Sequence, residues 1–140
     1  MVWAAIIESD AIPMRKDWIE RLSEQWDEAS DGKPLAVAGD IVNLPKLPDH
    51  VNANALYCTQ PDFLNALVSQ INRCPINMGW DYYCRSWLKA VGWAQIGIRS
   101  VWRMKTFPPI QWDIEQERGT VLHHGVKDMS LLMLARKKLL

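Results

Sequence analysis

The run Val2-Trp3-Ala4-Ala5-Ile6-Ile7, closed by Glu8-Ser9-Asp10, decides how the rest of the chain is read. A short, continuous apolar run of this kind suits a strand buried on both faces of a mostly parallel sheet. It stops abruptly at the acidic triplet, and Pro13 then breaks the chain.

Outward from that strand, helical and extended patterns alternate. Ile19, Leu22 and Trp26 recur at helical spacing and predict an amphipathic helix over 17–29, ended by the turn Asp31-Gly32-Lys33-Pro34. A short strand follows over 35–38, then a Pro-containing loop over 43–54 and another short strand over 55–58. Pro61 opens a second helix with Leu67, Val68 and Ile71 on one stripe. A third helix is predicted over 81–91 with Cys84, Trp87 and Leu88 inward, and Gly92 ends it. The spacing then reads as a strand over 93–98, an extended loop over 105–119 and a last helix over 128–139. Its end, Arg136-Lys137-Lys138, complements the dipole at a helix C-terminus. Strands alternating with helices predict an α/β sandwich in a single domain over 1–140.

Composition narrows the function classes. The 140 residues carry 16 Lys+Arg against 16 Asp+Glu, so the basic excess of a dedicated nucleic-acid binder is missing. No apolar run approaches a membrane span, and the first ten residues lack the basic n-region of a signal peptide. Cys58, Cys74 and Cys84 form no C-x-x-C pair and read as thiols of a reducing, cytoplasmic compartment; a zinc site completed by His123 and His124 is the alternative. Eight tryptophans fit either a small aromatic core or a groove that stacks flat rings.

Three constellations carry chemistry. Glu8-x-Asp10 sits at the C-terminal end of a strand, the edge where open α/β sheets bind ligands, and its paired carboxylates suit Mg²⁺ or Mn²⁺; an acidic turn is the plain alternative. In Gly79-Trp80-Asp81, Asp81 stands at a helix start, either as a cap or as a general base that takes a proton from a hydroxyl. In Leu122-His123-His124-Gly125-Val126-Lys127-Asp128, a neutral imidazole can complete a divalent site and a lysine can neutralise phosphate, or the segment is a surface loop.

In this order, the three resemble the GT-A nucleotide-sugar glycosyltransferases. Glu8-Ser9-Asp10-Ala11-Ile12-Pro13, with Trp18 beyond it, is similar to the family's DxD-type metal motif, with Glu in place of the first Asp. Gly79-Trp80-Asp81 with Arg85, Leu88 and Gly92 resembles its xED motif, with Trp where Glu is usual. His123 or His124 matches the C-terminal metal histidine, and His50-Val51-Asn52-Ala53-Asn54-Ala55 resembles the loop that approaches donor sugar and acceptor.

The resemblance implies a partial GT-A-like (Rossmann-like) sandwich, a short mixed sheet flanked by helices. It implies Mn²⁺ or Mg²⁺ held by Glu8, Asp10 and one of His123 and His124, with Lys127 at the donor's phosphates. Asp81 would be the catalytic base, Trp80 and Trp93 would stack on a sugar, and Asn52 and Asn54 would bond its hydroxyls. The partners implied are a nucleotide-sugar donor and a glycan or other hydroxyl acceptor. Only seven residues precede Glu8, so the expectation is a truncated domain lacking the nucleotide-binding front half. A bare edge of buried type would then self-associate through the strand of residues 2–7. The substitutions in the two motifs leave room for a non-catalytic carbohydrate-binding or interaction module on the same fold, and more remotely for a metal-dependent hydrolase.

Overall fold

The computed structural model describes residues 2–140, the side chains of Trp102 and Arg103 excepted. The chain is α/β, with two mixed sheets and flanking helices. The first sheet contains β1 (Trp3–Ile6), β3 (Val37–Val42), β4 (His50–Cys58) and β5 (Trp93–Gln95) in the order β1-β4-β3-β5. The second contains β2 (Ile12–Pro13), β6 (Ile98–Met104) and β7 (Leu122–Val126) in the order β2-β7-β6. β3–β5 and β6–β7 pair in parallel, whereas β1–β4, β3–β4 and β2–β7 are antiparallel.

Period-two alternation places the first sheet between two cores. Ala55 and Tyr57 of β4, with Val37 of β3, face Leu67 of α2 (Pro61–Asn72) and Leu88 of α4 (Arg85–Val91). Leu56 and Cys58, with Ala38, face the other way, against Leu22 and Trp26 of α1 (Trp18–Ser30) and Leu122 of the second sheet. A third cluster, around Met14, Phe107 and Trp112, lies between the second sheet and α5 (Pro109–Glu117) and α6 (Ser130–Leu139).

Several expectations are corrected. The strand at the N-terminus forms but is not buried on both faces: β1 is an edge strand, and Ala4, Ala5 and Ile6 are exposed. Apolar residues specify an extended segment, whereas its place in the sheet depends on which strands pair with it. The helix expected over 81–91 is two pieces, α3 (Trp80–Tyr83) and α4, joined at Cys84. The strand expected over 93–98 splits into β5 and β6, which belong to different sheets. β4 begins at His50, inside the expected loop over 43–54. The expected loop over 105–119 contains α5, with Pro109 in its first turn, where a missing N–H costs nothing. Within α1, Ile19 is half exposed although it shares the predicted stripe with Leu22 and Trp26. No helix among the described residues is long and apolar enough to cross a membrane.

Candidate metal and acceptor site

The turn after β1 carries the two acids across from the first sheet to the second. Ala11 N–H donates to the Glu8 carbonyl at 3.0 Å, closing the turn, and Ile12 then pairs with His123. That antiparallel register, run back one residue, sets Ala11 opposite His124 and brings the acids to the same edge. Glu8 Oε2 lies 2.7 Å and Asp10 Oδ1 3.0 Å from His124 Nε2. The three side chains can each offer a ligand atom, all within 4.8 Å of one another.

Lys127 joins them: its Nζ donates to Asp10 Oδ2 at 2.8 Å. A regular strand would not put His124 and Lys127 on one face, since they are three residues apart. Gly125 breaks the pleat. Its φ is 105°, and the β6–β7 register shifts between Ser100 and Met104 beside it. Leu122 faces the core shared with the first sheet, whereas Val126 faces the α5–α6 side. The reversal at Gly125 therefore returns Lys127 to the side of His124.

Partial burial pushes the Asp10 carboxyl up, but the Lys127 hydrogen bond and the electrostatic influence of His124 and Lys127 outweigh it and hold it below the usual carboxylate range. Neither ring nitrogen of His124 makes a hydrogen bond of acceptable geometry among the described residues, despite the short distances to both acids. A mostly buried nitrogen without such a bond, facing two carboxylate oxygens, is a donor set that suits a hard or borderline divalent cation. An octahedral ion with bonds of about 2.1 Å keeps adjacent donors about 3 Å apart, close to the spacings around His124 Nε2. Glu8, Asp10 and His124 are thus a donor set that could hold a divalent cation such as Mn²⁺ or Mg²⁺.

His123 does not belong to this group, which corrects its place among the expected metal ligands. Strand alternation turns it to the opposite face of β7, where it is 0% exposed and meets Phe107 edge-on, ring centroids 5.2 Å apart. Burial drives its pKa down to about 4; nearby Glu115 opposes this, while Arg99 and His124 reinforce it. It is a neutral core imidazole whose two nitrogens find no hydrogen-bond partner among the described residues.

The asparagines act on the protein itself. Asn54 is 1% exposed, and its Oδ1 accepts the Glu8 N–H at 2.7 Å. Its Nδ2 and its backbone N–H both donate to Asn52 Oδ1, each at 3.0 Å. Asn54 is thus a strut that fixes the acidic turn to β4, a role that nothing in the spacing Asn-x-Asn signals. Burial takes it out of reach of a sugar, so it leaves the set of expected substrate contacts.

Between these asparagines, Ala53 N–H donates to Asp81 Oδ2 at 3.2 Å, while Asp81 Oδ1 accepts from Tyr82 N–H at 2.9 Å. Asp81 therefore clips α3 to the strand that holds the acidic turn, and each of its oxygens keeps a second lone pair for a further partner. It is not the N-cap of α3, a position occupied by Gly79. Trp80 packs on Tyr57 at a centroid distance of 5.7 Å. Trp93 stands on β5, at the opposite edge of the sheet from β1, with Lys89 Nζ 5.4 Å above its ring. Both rings are half-buried against the α2–α4 core, so Trp93 is set apart from the acids, while Trp80 is tied to them through α3 and β4.

A cleft of about 690 Å³ elsewhere on the molecule includes none of these residues. The acid–imidazole group is singled out by its donor set rather than by concavity. No family model, curated protein or solved structure matches the chain.

Proposed function

We propose that the chain is a GT-A-like glycosyltransferase domain that uses Mn²⁺ or Mg²⁺ to transfer a sugar from a nucleotide-sugar donor to an acceptor hydroxyl. The observation that carries this reading is the convergence of Glu8 and Asp10 with His124, more than a hundred residues further along the chain, within 4.8 Å of one another. Glu8, Asp10 and His124 would hold the cation, which when bound would supply charge stabilisation to the departing nucleoside diphosphate. Lys127, beside Asp10, would meet the same phosphates. Asp81 would accept the acceptor's proton as the new C–O bond forms and the bond from the anomeric carbon to the diphosphate breaks.

Calorimetry with Mn²⁺ and uridine or guanosine diphosphate tests the reading. Binding that requires the metal and weakens at least about tenfold in Asp10→Ala and His124→Ala is the expected result. Diphosphate binding that is indifferent to Mn²⁺, with Glu8→Ala and Asp10→Ala behaving like wild type, would end it.

A second reading is a non-catalytic carbohydrate-binding module on the same framework. It is favoured by the engagement of both Asp81 oxygens with backbone amides. Glycan binding in the presence of EDTA and without nucleotide is its signature.

A further inference from the structure

The cleft of about 690 Å³ opens where α1 approaches β3, the β5–β6 connection and the end of α5. Its size falls in the range of small-molecule sites, roughly 300–1,000 Å³. What it can hold follows from which polar groups on its walls are already used.

Most of the acceptors are taken. Asp40, 6% exposed, accepts Ser100 N–H at 2.6 Å and Gln95 Nε2 at 3.3 Å. Glu115, buried beneath the cleft, accepts from Thr120, Gln111 and Arg118. Gln95 Oε1 accepts Ile41 N–H, and Gln25 Oε1 accepts Gly97 N–H at 2.8 Å.

The groups left over are donors. The Gln25 side-chain NH₂ makes no hydrogen bond among the described residues. Arg99 also lines the cleft and makes no hydrogen bond or ion pair there; its Nε is buried without a partner. Arg118, more than half exposed, spends one nitrogen on Glu115 at 3.2 Å and keeps the rest of its guanidinium. The acceptor remaining at the rim is the exposed carboxylate of Glu28.

We infer that this cleft is a binding site for a small anionic metabolite, a molecule bearing a phosphate or carboxylate group received by Arg99, Arg118 and the Gln25 amide. Guanidinium groups match the planar, paired oxygens of both anions. The exposed carboxylate of Glu28 opposes the ligand from the rim, and the hydrogen-bonded carboxylates of Asp40 in the wall and of Glu115 beside Arg118 oppose it from within, so all three limit affinity. The site shares no residue with the acid–imidazole group, and the inference stands whether or not the chain is a transferase.

The test is a titration of the full chain, with EDTA present, followed by amide chemical shifts, using inorganic phosphate in one arm and citrate in the other. Sodium chloride at matched ionic strength is the control. The inference expects saturable shifts confined to Gln25, Ile96–Arg99 and Arg118–Thr120. It expects at least about tenfold weaker binding in Arg99→Gln and tighter binding in Glu28→Gln. Saturation by phosphate alone or citrate alone names the source of the anion; either supports the site. Shifts reproduced by chloride, or affinity unchanged in both Arg99→Gln and Arg118→Gln variants that keep the wild-type far-ultraviolet spectrum and melting temperature, would overturn it.

Discussion

Replacing His123 with leucine should remove much of the chain's sensitivity to mild acid. The folded state holds this imidazole neutral, with its pKa lowered by burial to about 4, against about 6.5 in an unfolded chain. The unfolded state therefore binds the proton more readily. The contribution of His123 to stability is fully present above about pH 6.5 and is lost as pH falls toward 4. Each unit of separation between the two pKa values is worth about 1.4 kcal/mol. Integrated from pH 7 down to about pH 4.5, the loss comes to about 2 kcal/mol.

Urea unfolding of wild type and His123→Leu at those two pH values isolates this loss, with EDTA present so that no cation occupies neighbouring His124. At neutral pH the substitution should cost little, because it removes two buried nitrogens that find no hydrogen-bond partner among the described residues, along with the edge contact to Phe107. At the lower pH, His123→Leu should gain on wild type by about 2 kcal/mol, or about 1 M in urea midpoint for a slope near 2 kcal/mol/M. The same stability difference at both pH values would refute the reasoning, because it would mean that His123 titrates alike in the folded and unfolded chains.

Three other outcomes follow from the geometry. Gly125→Ala should destabilise by at least about 2 kcal/mol in chemical denaturation, because the position has positive φ and the new Cβ would collide with the Val101 carbonyl oxygen; a cost under about 0.5 kcal/mol would mean that the reversal of β7 does not need glycine. Asn54→Ala should cost about 1–3 kcal/mol by orphaning the Glu8 N–H and should weaken Mn²⁺ binding in calorimetry; undiminished metal binding would show that the acidic turn holds its shape alone. The free edge of β1 should support self-association that Ile6→Lys reverses, read by sedimentation equilibrium; a clean monomer across a wide concentration range would count against it.

What the sequence made legible was whatever depended on local spacing. The buried pair Leu22 and Trp26 and the helix-opening Pro61 report their own helices. The acid pair lies at the end of a strand, as the pattern of residues 2–10 implies. What stayed hidden depended on partners distant in sequence. β1 reads as a buried strand because Val2 to Ile7 is apolar, yet only its pairing with β4 alone decides that it is an edge. β7 reads as a loop because His-His-Gly is polar, although burial against Phe107 makes His123 a core residue. Pro108-Pro109 reads as a breaker, whereas the second proline lies in the first turn of α5. Either histidine could have been the metal ligand on sequence alone. Pleat parity separates them, and it becomes readable only once the β2–β7 register is known.

The site also has a place in the architecture that bears on stability. β1 belongs to one sheet and β2 to the other, so the turn bearing Glu8 and Asp10 is a strap along which the backbone passes between them. Asn54 fixes one end of that strap to the first sheet, and Lys127 fixes Asp10 to the second. The Lys127–Asp10 pair is largely exposed, and such pairs are worth at most about 1 kcal/mol. A cation shared by Glu8, Asp10 and His124 would join the same two sheets through stronger bonds. Because the unfolded chain has no such site, the binding energy would appear as folding stability, growing as RT ln(1 + [L]/Kd). A substitution that weakened cation binding at this turn would therefore also lower the metal-dependent part of the folding stability, by the same free energy.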